Sequence, residues 1–153
     1  LASNSLTEAL VFGLQCGRLA GETLATVNDK LSARQIDWKN EPSDRTQLDL
    51  VDIRNSLRSV MWRNVGVARR GERLSETLEI VSFWSRYVLD KEFYDPAGWE
   101  VQNMLTGAYC ITECAMRRTE TRGVHYREDF PRTDPIWQRH QHIRRTEHQL
   151  VVE

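Results

Sequence analysis

Apolar residues recur along this chain at three- and four-residue steps in four separate runs, and alternating stretches are nearly absent. The first run, Leu6, Ala9, Leu10, Val11 and Phe12, follows the small polar cluster Ser3, Asn4 and Ser5 and predicts a helix reaching about Val27. From Thr46 a second stripe of Leu50, Ile53, Leu57, Val60 and Met61 runs to Val65, where Gly66 and the ARRG sequence interrupt it. Leu74, Leu78, Val81, Trp84 and Val88 form a third, ending near Phe93. Asp95 followed by Pro96 reads as an N-cap with proline at the first helical position, opening a fourth stripe of Val101, Met104, Ala108, Ile111 and Ala115. Gly123 is its expected stop.

The predicted fold is therefore all-α. Short connections between the last three helices imply an antiparallel, up-down-up bundle of the spectrin-repeat kind over 46–123. It is preceded by a single helix over 1–27 and a polar linker over 28–45, and followed by an extended tail over 124–153. The tail carries Pro131 and Pro135, with a short helix expected from Ile136 to about Thr146. Within the first helix Ala9, Gly13, Gly17 and Gly21 line one face. Each glycine costs about 1 kcal/mol relative to alanine in a helix interior, so close packing against another element is expected there.

Composition narrows the function. At 153 residues with 40% hydrophobic content the chain can bury a core. A net charge of −1 supplies no global field toward nucleic acid or an acidic membrane. No stretch approaches the roughly 20 apolar residues of a membrane span. Cys16, Cys110 and Cys114 read as reduced, semi-buried small hydrophobes of a cytoplasmic protein. His140, His142 and His148 lack a carboxylate or cysteine at ligand spacing, so no metal is expected.

Two stretches could carry chemistry. The helix start at Asn4, Ser5 and Leu6 presents amides without intrahelical acceptors at the positive end of the helix dipole, a donor site for an anionic or polarised oxygen. The run RRTETRGVHYREDFP gathers Arg122, His125, Arg127, Glu128 and Asp129 around Gly123, either as a salt-bridged turn or as a carboxylate or phosphate site. No nucleophile is identifiably placed beside His125, and no glycine-rich phosphate loop is present. No catalytic residue is assigned in this chain.

Together these stretches resemble one family. LASNSLTEALVFG is similar to the flavin-contacting helix start of the succinate dehydrogenase/fumarate reductase flavoprotein superfamily, and CAMRRTETRGVHYREDFP resembles its C-terminal signature. LRSVMWRNVGVARRGERL, between them, resembles the first bundle helix of the same proteins. Thr7 and Thr121 stand where the family usually has leucine and serine. The MWRNVGV and CAMRR segments look closest to the L-aspartate oxidase branch.

The resemblance implies a C-terminal fragment, with the dinucleotide fold, capping domain and catalytic arginine lying upstream. Ser5 and Leu6 then match the amides that contact the pyrimidine oxygen of FAD. In the full-length enzyme L-aspartate would be oxidised to iminoaspartate for NAD biosynthesis, with dioxygen or fumarate as acceptor and quinolinate synthase as a possible partner. The fragment itself would be inactive and would not retain FAD. Arg122 and His125 are expected to be structural or interdomain residues. Two alternatives stay open: a succinate dehydrogenase or fumarate reductase flavoprotein subunit with an iron–sulfur partner, and a free-standing helical module binding protein or nucleic acid through its Arg-rich final third.

Overall fold

A computed structural model describes residues 4–27, 44–145 and 150–152, divided into two units, Leu1–Trp38 and Lys39–Glu153. Most of the expected linker, and His148, lie outside the described residues.

The first unit contributes helix α1, Ser5–Thr26, which buries none of its residues. Leu6, Leu10, Phe12, Leu14 and Leu19 are all exposed. A Cβ added at Gly13, Gly17 or Gly21 meets nothing within 4 Å, so within this unit the small-residue ridge has no packing partner among the described residues.

In the second unit α2 spans Leu50–Val65, β1 Ala68–Arg69, α3 Gly71–Val88 and α4 Pro96–Arg117. β2 (Tyr126–Arg127), a 3-10 turn (Pro135–Trp137), β3 (Ile143–Arg145) and β4 (Leu150–Val152) follow. The architecture is helical with minor strands. α2 begins at Leu50 rather than at Thr46 because the Asp49 carboxylate accepts the Val51 and Asp52 amides, at 2.8 and 3.2 Å. Asp95 caps α4 through the Gly98 amide at 3.1 Å, with Pro96 behind it as expected.

The core has two layers. Ile53 and Leu57 of α2, Val81 and Val88 of α3, and Val101, Leu105 and Ala108 of α4 form the larger. Val65, Leu74 and Ala115 form the smaller. α2 and α4 run from the larger layer to the smaller, while α3 runs from the smaller to the larger. Removing each of the valine, leucine and isoleucine side chains from water contributes about 1.5–3 kcal/mol, and the two alanines contribute less. Between the layers the buried Asn64 donates to Thr77 Oγ1 at 3.1 Å, and Thr77 in turn donates to the Arg73 carbonyl at 2.7 Å, so neither polar group is stranded.

The stripe on α4 differs from the sequence reading. Gly98, Val101, Leu105, Ala108, Thr112 and Ala115 face inward, and Ile111 is 55% exposed. Both lines have three- and four-residue spacing, and Thr112 is accommodated because its hydroxyl donates to the Ala108 carbonyl at 2.7 Å. The helix expected from Ile136 to about Thr146 is absent. Asp134 and Pro135 start only the 3-10 turn, and Arg118 then takes the Trp137 and Arg139 carbonyls at 2.8 Å each, drawing both away from helical pairing.

Candidate functional site

The chemistry-bearing residues of the second unit converge where α4 ends. Helix α4 stops at Arg117, not at Gly123, because its terminal carbonyls are claimed from outside. Nη1 of Arg127 donates to the carbonyls of Ala115, Met116 and Arg118 at 2.7, 3.0 and 3.2 Å. Arg127 is 2% exposed. Its Nε and Nη2 bind both oxygens of Asp129 at 2.8 Å, and Asp129 Oδ2 accepts the Gly71 amide at the start of α3 at 2.9 Å. Arg127 and Gly71 together hold the Asp129 carboxyl well below the usual carboxylate range.

Gly123 does adopt the left-handed conformation, φ 57°, but in a tight turn. Arg122 and His125 exchange both backbone hydrogen bonds across it, at 2.9 and 3.0 Å. This turn delivers β2 to β1 as a parallel pair, Ala68 opposite Tyr126 and Arg69 opposite Arg127. His125 thereby reaches Arg69. Nη1 of Arg69 lies 2.7 Å from His125 Nδ1, and His125 Nε2 lies 3.2 Å from the Arg118 carbonyl. A guanidinium can only donate, so Nδ1 accepts and the proton sits on Nε2, which donates to the carbonyl. Burial pushes the His125 pKa down, and the Arg69, Arg127 and Arg118 cations add to that effect. A neutral ring bound at both nitrogens has no free lone pair with which to act as a base.

Glu120 is the second buried anchor. It accepts from Arg118 Nη1 at 2.7 Å, from Arg122 Nε at 2.9 Å and from the Asp134 amide at 2.9 Å. The Arg122 hydrogen bond, with the Asp134 amide and Arg118, holds its pKa down at about 2. Arg122 therefore serves a salt-bridged turn.

Two cavities flank His125. One, of about 370 Å³, is walled by Arg69, Cys110, Cys114 and Ile143. The other, of about 380 Å³, is walled by Arg118, Arg122, Trp137 and Arg139. All three cysteines are free, Cys16 exposed and the other two half-buried. Among the described residues no group of three or more His, Cys, Asp or Glu side chains is placed to hold a metal. No helix among them is long and apolar enough to cross a membrane.

In the first unit, Ser5 opens α1 and Leu6 follows it. The first intrahelical bond is from the Glu8 amide to the Asn4 carbonyl at 2.8 Å, and Asn4 makes no side-chain cap. The Ser5, Leu6 and Thr7 amides thus precede the first helical hydrogen bond and have no acceptor within the helix.

Residues 96–153 match the family described as fumarate reductase flavoprotein C-term. The L-aspartate oxidase of Nostoc sp. is 30% identical over 92% of this chain and 28% of its own length. A chain of the fumarate reductase (CoM/CoB) of Methanothermobacter marburgensis is 31% identical over 91% of this chain and 28% of its own. A solved structure of the Mycobacterium smegmatis Sdh1 complex in the apo form is similar over 63% of this chain and 18% of the matched chain, at 27% identity and a TM-score of 0.51. Residues 96–153 belong to the C-terminal region of the succinate dehydrogenase/fumarate reductase flavoprotein superfamily, and the chain as a whole is similar to its members.

Within this superfamily the chain spans little more than a quarter of the length of these curated relatives. The Arg127–Asp129 clamp, the Glu120 anchor and the Arg122–His125 turn all fall inside the part matched as the family's C-terminal region. The sequence reading singled out Arg122, His125, Arg127 and Asp129, and the structure brings them together. It missed Arg69 and Glu120. Arg69 lay in a run taken only as punctuation, and Glu120 is one of 22 acidic residues, with nothing in its spacing to mark it as buried.

Proposed function

We propose that this chain is the C-terminal region of an FAD-dependent L-aspartate oxidase, acting in the cytoplasm, whose whole form converts L-aspartate to iminoaspartate for NAD biosynthesis. Dioxygen or fumarate would be the final acceptor, and quinolinate synthase the enzyme that takes up the product. FAD, when bound by the whole enzyme, supplies the hydride-accepting chemistry. The observation that carries the reading is the uncapped start of α1, where the Ser5 and Leu6 amides precede the first helical hydrogen bond. Such amides stabilise negative charge developing on an adjacent oxygen. The MWRNVGV and CAMRR segments and the L-aspartate oxidase of Nostoc sp. support this branch.

The helical unit is a scaffold with no catalytic group of its own, and the isolated chain is inactive. Two amide hydrogen bonds contribute about 0.5–1.5 kcal/mol each, too little to retain a dinucleotide. A second reading, a fumarate reductase flavoprotein subunit, is favoured by the relative from Methanothermobacter marburgensis.

The test is an assay of the whole protein that carries this region. Peroxide formation or fumarate reduction that depends on L-aspartate supports the oxidase. Turnover with succinate or fumarate that is indifferent to L-aspartate overturns it in favour of the second reading.

A further inference from the structure

The cavity walled by Arg118, Arg122, Trp137 and Arg139 forms where residues 137–141 fold back over the end of α4. Its cations are not equally engaged. Arg118 is consumed, donating to Gln141 Oε1, Glu120 and the carbonyls of Trp137 and Arg139. Arg122 gives Nε to Glu120 and Nη2 to the Asp134 carbonyl at 3.2 Å, leaving Nη1 uncommitted. Arg139 lies over the Trp137 ring, 5.4 Å from its centroid, and among the described residues its side chain forms neither an ion pair nor a hydrogen bond.

Charge in this corner is unbalanced toward the cavity. The carboxylates that act on these cations are those of Glu120, bound by Arg118 and Arg122, and Asp134, whose charge also acts on Arg122. Glu120 is fully buried beneath Arg118 and Arg122, and Asp134 accepts the Ile136 amide at 3.0 Å; neither lines the space. Both nitrogens of His125 are already engaged. The exposed His140 is a further donor at the rim. Trp137 is itself fixed, its indole N–H donating to Thr119 Oγ1 at 3.1 Å, and it holds the Arg139 guanidinium by cation–π attraction.

We propose that this cavity binds a small doubly charged oxyanion, a phosphate or a dicarboxylate, between the uncommitted donors of Arg122 and Arg139, with Trp137 as its apolar wall. Planar guanidinium forks match both ligand classes. The site is independent of which substrate the whole enzyme oxidises, since that reading rests on Ser5 and Leu6.

The experiment titrates the full 153-residue chain with inorganic phosphate and, separately, with succinate, at ionic strength held constant with chloride. The indole N–H resonance of Trp137 is followed, identified by its loss in Trp137→Phe. A saturating shift is expected, weakened about tenfold in Arg139→Gln and unchanged in Arg117→Gln, whose charge lies outside the cavity. Arg139→Gln breaks no hydrogen bond among the described residues, and Arg122→Lys, which keeps the charge but loses the fork, provides a second variant with weaker binding. Tighter phosphate assigns a phosphate-bearing ligand and tighter succinate a dicarboxylate; either sustains the site. Shifts that rise linearly without saturation for both anions, or curves that coincide for Arg139→Gln and the unaltered chain, overturn it.

Discussion

Arg127 and Asp129 meet fork to fork, Nε to Oδ1 and Nη2 to Oδ2, both at 2.8 Å. Through this pair the end of one helix is tied to the start of another, because Arg127 also holds two carbonyls of α4 and that of the following Arg118, while Asp129 holds the first amide of α3. Removing Arg127 strands the Ala115 and Met116 carbonyls, while that of Arg118 keeps its bond from His125 Nε2, and leaves a carboxylate without its counter-charge. Arg127→Ala is expected to cost about 3–5 kcal/mol of bundle stability, measured by urea unfolding followed by circular dichroism. Asp129→Asn keeps an acceptor for Gly71 and gives the smaller loss. An Arg127→Ala midpoint equal to that of the unaltered chain would deny the clamp any structural weight.

Glu120 sets an acid limit. Its pKa is about 2 in the folded chain against an ordinary 4.5, so the unfolded chain binds the proton first as the medium is acidified. The stability it contributes is complete above about pH 4.5 and is lost as pH falls through about 2. Asp129, also depressed, loses its contribution over a neighbouring acid range. Glu120→Gln should therefore flatten, without abolishing, the fall in urea midpoint below pH 4.5. An unchanged slope would contradict the assignment.

His125 acts in a milder range with the same sign. Burial, with Arg69, Arg127 and Arg118 nearby, lowers its pKa below the ordinary 6.5, outweighing the hydrogen bond to the Arg118 carbonyl. The unfolded chain thus takes up a proton before the folded one, and stability declines as pH drops below about 6.5. Proton NMR should show His125 titrating below 6.5, and His125→Gln should remove that part of the decline. A His125 ring that titrates above 6.5 would refute the neutral, doubly bonded state.

Gly66 ends α2 at φ −66°, ψ −121°, and an added Cβ would collide with the Trp62 backbone carbonyl. A backbone atom cannot swing aside as a side chain can. Gly66→Ala should cost about 1–3 kcal/mol of unfolding free energy. By contrast, Gly107→Ala, on an open face of α4, should be stabilising by up to about 1 kcal/mol, since it gains helix propensity.

The helices were legible because periodic burial is a repeated signal. Ile53, Leu57, Val60, Leu74, Val81, Val88, Val101, Ala108 and Ala115 were all placed on inward faces by spacing alone, and all are buried. Ile111 was misplaced because a competing line through Leu105 and Thr112 has the same spacing, and only packing chooses between them. The strands were invisible for another reason: β1 and β2 have two residues each, too few to show alternation. The helix end was misread at Gly123 because the group that stops α4 is a guanidinium ten residues downstream of Arg117, and no local rule selects Arg127 from 18 arginines. For the candidate site the sequence reading found the right neighbourhood, but not the groups bound to Arg122 and His125, which are the Asp134 and Arg118 carbonyls, Glu120 and the distant Arg69.

The parallel pairing of Arg69 with Arg127 closes a long loop, with the Glu128 amide donating to the Arg69 carbonyl at 2.9 Å across an intervening helical hairpin. Closing such a loop carries an entropic penalty that local helical contacts do not, so the ladder is expected to form after the helices. During synthesis α4 emerges with a frayed end and acquires its capping guanidinium only after a further stretch of chain has left the ribosome. A ribosome that stalls between these points therefore leaves a bundle whose core is assembled and whose latch is still missing.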